Sequence, residues 1–219
     1  MPFSPIASLF QSFLTMPYYK NAAASSGLVH APAKHEDAIV SMMEKHGYKI
    51  YNLYYKLHKK DSKSPHFLED MPVGTFVSQP FGTHGSPDFF IKAADDTIIP
   101  LEAKSSATAS HPTYNSGGVN PDYYYVFCSK KTNTTTLFRG CDIITQQQQK
   151  LISEYIAEEK LRAKALNAEL ATIDKHGRGI AFYPRPMIIQ SGGAEFTNYF
   201  THVNRQRDEE RAVEPHSKQ

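Results

Sequence analysis

The chain has 219 residues, which is enough for one domain with a substantial core, or at most one domain and a small appendage. Its 40% hydrophobic and 21% charged residues are typical of a globular protein and exclude a disordered or fibrous one. The formal net charge of +2 neither requires nor excludes a polyanionic partner, because the local distribution of charge decides that question.

The cellular setting is predicted from cysteines and apolar segments. Cys128 and Cys141 lack Cys-x-x-Cys spacing, so neither a disulfide framework nor a zinc site is expected. Prolines interrupt the apolar residues of segment 1–20 and no basic residue precedes them, which argues against a signal peptide. No apolar span approaches transmembrane length. We therefore expect a cytoplasmic protein with no membrane partner.

In chain order, a Pro- and Ala-rich N-terminal arm over residues 1–33 precedes one α/β domain over residues 34–214, and the tail 215–219 is expected to fray. A 3-4 apolar spacing predicts a helix from Ala33 to His46 that ends at Gly47. The further predicted elements are strands over 48–57 and 76–77, a hairpin over 89–99, a long polar loop over 105–122, a second hairpin over 123–138, a helix over about 146–176, short strands over 180–183 and 187–189, and a polar helix over 198–214.

The first hairpin carries the candidate chemistry. Glu102 and Lys104 are two residues apart on a predicted strand, so both side chains project from one face, while Leu101 and Ala103 lie on the other. Turn residues at 94–97 fold the preceding strand back, which brings Asp88 beside Glu102.

Two carboxylates and an amine at this spacing suit the hydrolysis of a phosphodiester. Mg²⁺ is typically held by one or two carboxylates plus substrate phosphate, which Asp88 and Glu102 could supply with the Ala103 carbonyl as a third ligand. Lys104 would orient the nucleophile and stabilise negative charge. The alternative is that Asp88 caps a turn and Glu102 forms a surface pair worth at most ~1 kcal/mol.

The pattern Pro87-Asp88 followed by Glu102-Ala103-Lys104 resembles the PD-(D/E)XK nuclease superfamily, and within it the type II restriction endonucleases. The resemblance covers about residues 34–145. It implies a central mixed β-sheet flanked by helices, Mg²⁺ as cofactor, and cleavage that leaves 5′-phosphate ends. Glu36 is similar to the acid that family members carry on the helix before the sheet, although Asp37 competes for that role and a solvated helix N-terminal acid explains either residue.

Polar side chains on predicted loops and turns are the candidates for DNA contact. Such side chains neutralise phosphates or match base edges. The candidates are Gln79, His84, Tyr114, Asn115, Lys130, Lys131, Asn133 and Arg185.

Three functions compete. The first is a type II restriction endonuclease that cuts double-stranded DNA as a homodimer, since two cuts in a palindrome require two-fold related sites; the family then implies a cognate DNA methyltransferase on another chain. The second is a repair, recombination or structure-selective nuclease with the same core. The third is a non-catalytic DNA-binding protein.

Overall fold

The computed structural model of the protein describes residues 4–18, 34–52, 68–82, 85–115, 118–190 and 192–216. Residues 53–57, half of the strand predicted over 48–57, lie outside these ranges. The helices are α1 (Ile6–Leu14), α2 (Lys34–Lys45), α3 (Gln146–Thr172), α4 (Ala194–Thr197) and α5 (Arg205–Val213). The strands are β1 (Lys49–Ile50), β2 (Thr75–Ser78), β3 (Phe89–Lys92), β4 (Ile98–Ser106), β5 (Tyr114–Asn115), β6 (Tyr124–Ser129), β7 (Thr134–Arg139) and β8 (Met187–Ile188).

Six strands form one mixed sheet in the order β1-β2-β3-β4-β6-β7, and β5 pairs with β8 separately. The β1/β2 and β4/β6 pairs are parallel, whereas β2/β3, β3/β4 and β6/β7 are antiparallel. The chain is thus a single α/β domain with a mixed sheet flanked by helices, which confirms the predicted fold class at this level. Within the described ranges, none of the helices is long and apolar enough to cross a membrane.

The main core lies between one sheet face and helices α1, α2 and α5. Alternate strand residues point into it, as the two-residue period of a strand requires, so Phe89 and Leu101 are fully buried there. The described part of the predicted N-terminal arm requires a correction. Helix α1 packs Leu9, Phe10 and Phe13 into this same core, because their 3-4 spacing forms one apolar face that the flanking prolines do not interrupt.

The opposite face of β4, β6 and β7 is covered by a second, aromatic cluster. Tyr125 stacks on Phe138 with ring centroids 5.3 Å apart, and Tyr199 packs on Phe138 at 4.9 Å. The parallel register places Glu102 opposite Tyr125 and Lys104 opposite Phe127. The predicted acid and amine therefore lie on the aromatic side of the sheet.

Both predicted hairpins are confirmed. In the first, Ile91 pairs with Ile99, and the turn between them places Asp96 in the left-handed region (φ 69°) while the Asp95 carboxylate accepts the Thr97 N–H at 3.1 Å. In the second, Tyr124 pairs with Arg139.

The C-terminal third differs more from prediction. Helix α3 begins at a capping box between Thr145 and Gln148 and ends at Thr172 rather than about 176. Segment 180–183 forms no strand, and the terminal helix is confined to Arg205–Val213. The tail was predicted to fray from 215, yet His216 is only 5% exposed, because its ring packs edge-on against Phe10 at 5.4 Å.

Candidate active site

The pairing of β3 with β4 positions the two predicted carboxylates. Because Phe89 opposes Leu101 in the antiparallel ladder, Asp88 and Glu102 form the next facing pair. The Asp88 N–H donates to Glu102 Oε2 at 3.2 Å, and the Ala103 N–H donates to Asp88 Oδ2 at 2.8 Å. Each carboxylate is thus held by the backbone beside the other, as the strand-turn-strand pattern predicts.

Glu102 is the most enclosed acid of the site, with 6% of its surface exposed. Its Oε1 lies 2.6 Å from Lys104 Nζ, and its Oε2 also accepts from Ser86 Oγ at 3.1 Å. The Lys104 side chain is itself only 16% exposed. Glu102 and Lys104 are therefore a largely buried ion pair rather than the surface pair of the alternative interpretation.

Glu36 joins the site through Gln79. The Gln79 side-chain amide donates to Glu36 Oε2 at 2.7 Å, and the Gln79 backbone N–H donates to the Asp88 carbonyl oxygen at 2.6 Å. Glu36 is half-buried and close enough for its pKa to respond to the charges of Glu102 and Lys104, whereas Asp37 is exposed. Of the two competing acids, Glu36 is the one that faces the site.

The site carries more negative than positive charge. Burial, followed by repulsion from Glu102, raises the pKa of Asp88 to about 7. Burial also raises the pKa of Glu36, and the hydrogen bond from Gln79 lowers it by a smaller amount. Among the residues that the structure describes at the site, Lys104 balances one of three carboxylates, so a bound cation would relieve the remaining repulsion.

The donor set fits a hard divalent cation whose shell is completed by substrate and water. Among the described residues, no three His, Cys, Asp or Glu side chains are grouped closely enough to hold a metal by themselves. Mg²⁺ does not require such a group, because it retains waters and usually takes one or two carboxylates. Asp88 Oδ2 is engaged by Ala103, and no hydrogen bond to Oδ1 occurs within the described part of the chain.

Four of the eight residues predicted to contact DNA are not available, or not described, as exposed contacts. Tyr114 requires a correction: its side chain is fully buried and its hydroxyl is 2.8 Å from that of Tyr199, so it packs in the aromatic cluster and cannot reach a base. The side-chain amide of Gln79 donates its hydrogen bond to Glu36. His84 and the side chain of Asn115 lie outside what the structure describes.

The remaining candidates are exposed. Lys130, Lys131 and Asn133 occupy the β6–β7 turn, and Arg185 lies on the segment that follows α3. Since Lys104 opposes Phe127, Lys130 lies three residues, or roughly 10 Å, further along the sheet from the candidate site.

The sequence analysis does not predict two of the contacts at the site. Ser86 donates to Glu102, and the Tyr123 hydroxyl donates to the Ser86 carbonyl oxygen at 3.4 Å. Ser86 lies in a bend before β3, where the two-residue period of a strand does not apply, so its contact with Glu102 has no local sequence signal. Tyr123 is 37 residues away from Ser86, and no local pattern predicts such a contact.

Comparisons with known proteins add no relative: no family model, no curated protein and no solved structure matches the chain.

Proposed function

We propose that this protein is a Mg²⁺-dependent, sequence-specific endonuclease that hydrolyses double-stranded DNA to 5′-phosphate ends, in the manner of type II restriction enzymes. The observation that carries the proposal is the facing pair Asp88 and Glu102, with Lys104 at 2.6 Å from Glu102. These are the acid, acid and amine of the PD-(D/E)XK pattern that the sequence resembles.

The charge balance supports a catalytic rather than a structural role. A purely structural buried ion pair is expected to be neutral, because unpaired buried charge costs stability. Here Asp88 and Glu36 both have raised pKa values, and among the described residues both lie near the ammonium group of Lys104. Titratable groups perturbed in this way concentrate at functional sites.

Each residue has a role in the proposed reaction. Asp88, Glu102 and the Ala103 carbonyl would hold Mg²⁺, which when bound supplies Lewis-acid activation of the phosphodiester and of water. Lys104 orients the nucleophile and stabilises the charge that develops on the phosphate. Glu36, fixed by Gln79, orients the attacking water by hydrogen bonding.

DNA binding would use the exposed basic turn of the second hairpin. Lys130 and Lys131 are exposed and would neutralise phosphates, and the exposed Asn133 and Arg185 are candidates for base or backbone contacts. The proposed enzyme acts as a homodimer in the cytoplasm, with host DNA protected by a cognate methyltransferase.

The test is incubation of the protein with plasmid and phage DNA and Mg²⁺. Discrete fragments support restriction, cutting of branched or damaged DNA alone supports a repair or structure-selective nuclease, and absence of cutting supports a binding protein. Full activity in Asp88→Ala or Lys104→Ala would contradict the assigned site. Asp70→Asn, which changes an exposed acid outside the hairpin, is the matched control.

A further inference from the structure

The orientation of the Glu102 carboxylate is set by three hydrogen-bond donors. Lys104 Nζ donates to Oε1 at 2.6 Å. The Ser86 hydroxyl and the Asp88 N–H both donate to Oε2, at 3.1 Å and 3.2 Å. The β4 backbone does not set this orientation by itself, because the terminal torsion of a glutamate side chain has a broad, roughly two-fold distribution. The donors therefore decide how the plane of the carboxylate is turned.

The donors use the two oxygens of Glu102 unequally. Each oxygen of an ionised carboxylate offers about two lone pairs. The Ser86 hydroxyl and the Asp88 N–H engage both lone pairs of Oε2, whereas among the described residues Oε1 accepts only from Lys104. Oε1 therefore keeps a lone pair for a cation, and the direction of that lone pair depends on the two donors that hold Oε2.

The backbone that carries the Ser86 hydroxyl is held by contacts on both sides. Gly85 packs so closely against Phe81 that an added Cβ would lie 2.7 Å from the Phe81 carbonyl oxygen, so only glycine fits immediately before Ser86. The Tyr123 hydroxyl donates to the Ser86 carbonyl oxygen at 3.4 Å. The Tyr123 ring packs in turn against Tyr125, with ring centroids 6.5 Å apart. The hydroxyl is thus presented to the site from a fixed position.

The Ser86 hydroxyl contributes to orientation more than to stability. Ser86 is exposed, and Glu102 also has the Lys104 ammonium group and a backbone N–H as partners. Water can replace an exposed hydroxyl as a hydrogen-bond donor, but the backbone does not fix that water. Removing the donor of a metal-ligating carboxylate typically costs about 10- to 100-fold in metal affinity or activity.

We propose that Ser86 is a positioning residue of the candidate active site, which orients Glu102 for a divalent cation through the hydrogen bond to Oε2. The inference rests on the proposed function for the identity of the cation, Mg²⁺. Ser86 itself touches neither the cation nor DNA. Loss of its hydroxyl therefore weakens cation binding only while the Glu102 carboxylate is within reach, and a residue that returns the hydroxyl restores the binding.

The first measurement is Mg²⁺ binding to the DNA-free protein by titration calorimetry. Ser86→Ala is expected to weaken binding about 10- to 100-fold. Ser86→Thr keeps the hydroxyl, and the exposed position accommodates its methyl group, so it should bind nearly as tightly as wild type. Ser105→Ala is the matched control and should bind as wild type does, because Ser105 is also exposed but projects from the face of β4 opposite to Glu102.

The second measurement tests whether Ser86 acts through Glu102. Glu102→Asp keeps a carboxylate for the cation but withdraws it by one methylene group, out of hydrogen-bond reach of a hydroxyl that lies 3.1 Å from Oε2 in the wild type. Adding Ser86→Ala to this variant should leave its Mg²⁺ affinity unchanged. An equal loss in both backgrounds would show that the hydroxyl acts on the cation independently of Glu102, and would overturn the positioning role.

Urea denaturation in the presence of a chelator separates positioning from a structural role. Ser86→Ala should unfold at nearly the same urea concentration as wild type. A clear loss of stability together with unchanged Mg²⁺ affinity would show a structural role and overturn the inference.

The outcomes also separate this inference from the proposed function. Equal Mg²⁺ affinity of wild type and Ser86→Ala, or a Ser86→Thr variant that binds as weakly as Ser86→Ala, would overturn the inference alone. A wild-type protein that binds Mg²⁺, loses affinity in Ser86→Ala and cuts no DNA would overturn the proposed function alone. A wild-type protein that binds no Mg²⁺ would overturn both.

Discussion

Replacing Asp88 by Asn removes a charge from the candidate site while preserving the shape of the side chain. Burial and the Glu102 charge raise the pKa of Asp88 to about 7 from an ordinary value of 3.8. Between these two values the folded protein binds a proton that the unfolded chain releases. The wild-type protein is therefore most stable on the acid side of this range, and it loses that contribution as the pH rises through about 7.

The size of the effect follows from the shift. One pKa unit corresponds to about 1.4 kcal/mol, so a shift from 3.8 to about 7 sets an upper limit of roughly 4 kcal/mol. Because part of the shift comes from the Glu102 charge, whose repulsion solvent and relaxation reduce, we expect roughly 1–4 kcal/mol. Asp88→Asn should be more stable than wild type by that amount at pH 8 and nearly equal to it at about pH 3, below the ordinary pKa of an aspartate. The Asn side-chain oxygen can still accept the Ala103 N–H.

Urea denaturation at the two pH values, in the presence of a chelator, measures this difference. Adding Mg²⁺ at pH 8 should then stabilise the wild type, by about 2.7 kcal/mol at a concentration 100 times its dissociation constant, and leave Asp88→Asn unchanged. Asp70→Asn should follow the wild type in both experiments. The same pH dependence in wild type and Asp88→Asn, or equal stabilisation of both by Mg²⁺, would refute the reasoning.

Two other changes separate chemistry from binding. Lys104→Ala should lower the cleavage rate at least about 100-fold while a gel-shift assay still detects DNA binding, because the ammonium group stabilises charge that develops in the reaction; loss of binding in proportion to activity would contradict this. Lys130→Ala combined with Lys131→Ala should weaken binding to all DNA sequences alike and reduce the slope of log K against log salt by about two, measured by titration at several salt concentrations. An unchanged slope would show that neither lysine contacts a phosphate.

The parts of the site that sequence analysis predicted are those set by local geometry. Glu102 and Lys104 share a face because they are two residues apart on one strand, and the five-residue connection 93–97 determines that Asp88 meets Glu102. These relations depend only on strand periodicity and turn chemistry. The hairpin and the proximity of Asp88 to Glu102 are therefore predictable from local sequence, whereas the residue-by-residue register is given by the structure.

The errors come from contacts between distant segments. The neighbours of Tyr114 in sequence predict a polar loop, yet Tyr199, 85 residues further on, provides a hydroxyl partner and a buried aromatic environment. Likewise, the apolar face of helix α1 packs against β7 and α5, which lie far along the chain. Composition describes what surrounds a residue in sequence, whereas burial depends on what surrounds it in space.

Gln79 shows how a strained residue can point to the organisation of the site. Its φ of 47° is in the left-handed region, which costs a non-glycine residue on the order of 1 kcal/mol, and in that conformation its backbone holds Asp88 while its amide holds Glu36.

Gln79→Gly separates the two functions, because glycine adopts this φ without strain but has no amide. We expect stability within about 1 kcal/mol of wild type by denaturation. Since the amide lowers the pKa of Glu36, its loss should move the acid limb of the pH–rate profile to higher pH. Gln79→Asn, with a shorter amide at a tolerated φ, is the matched control for the backbone. If Gln79→Gly cleaved DNA with an unshifted profile, Glu36 would not take part in the reaction through this contact.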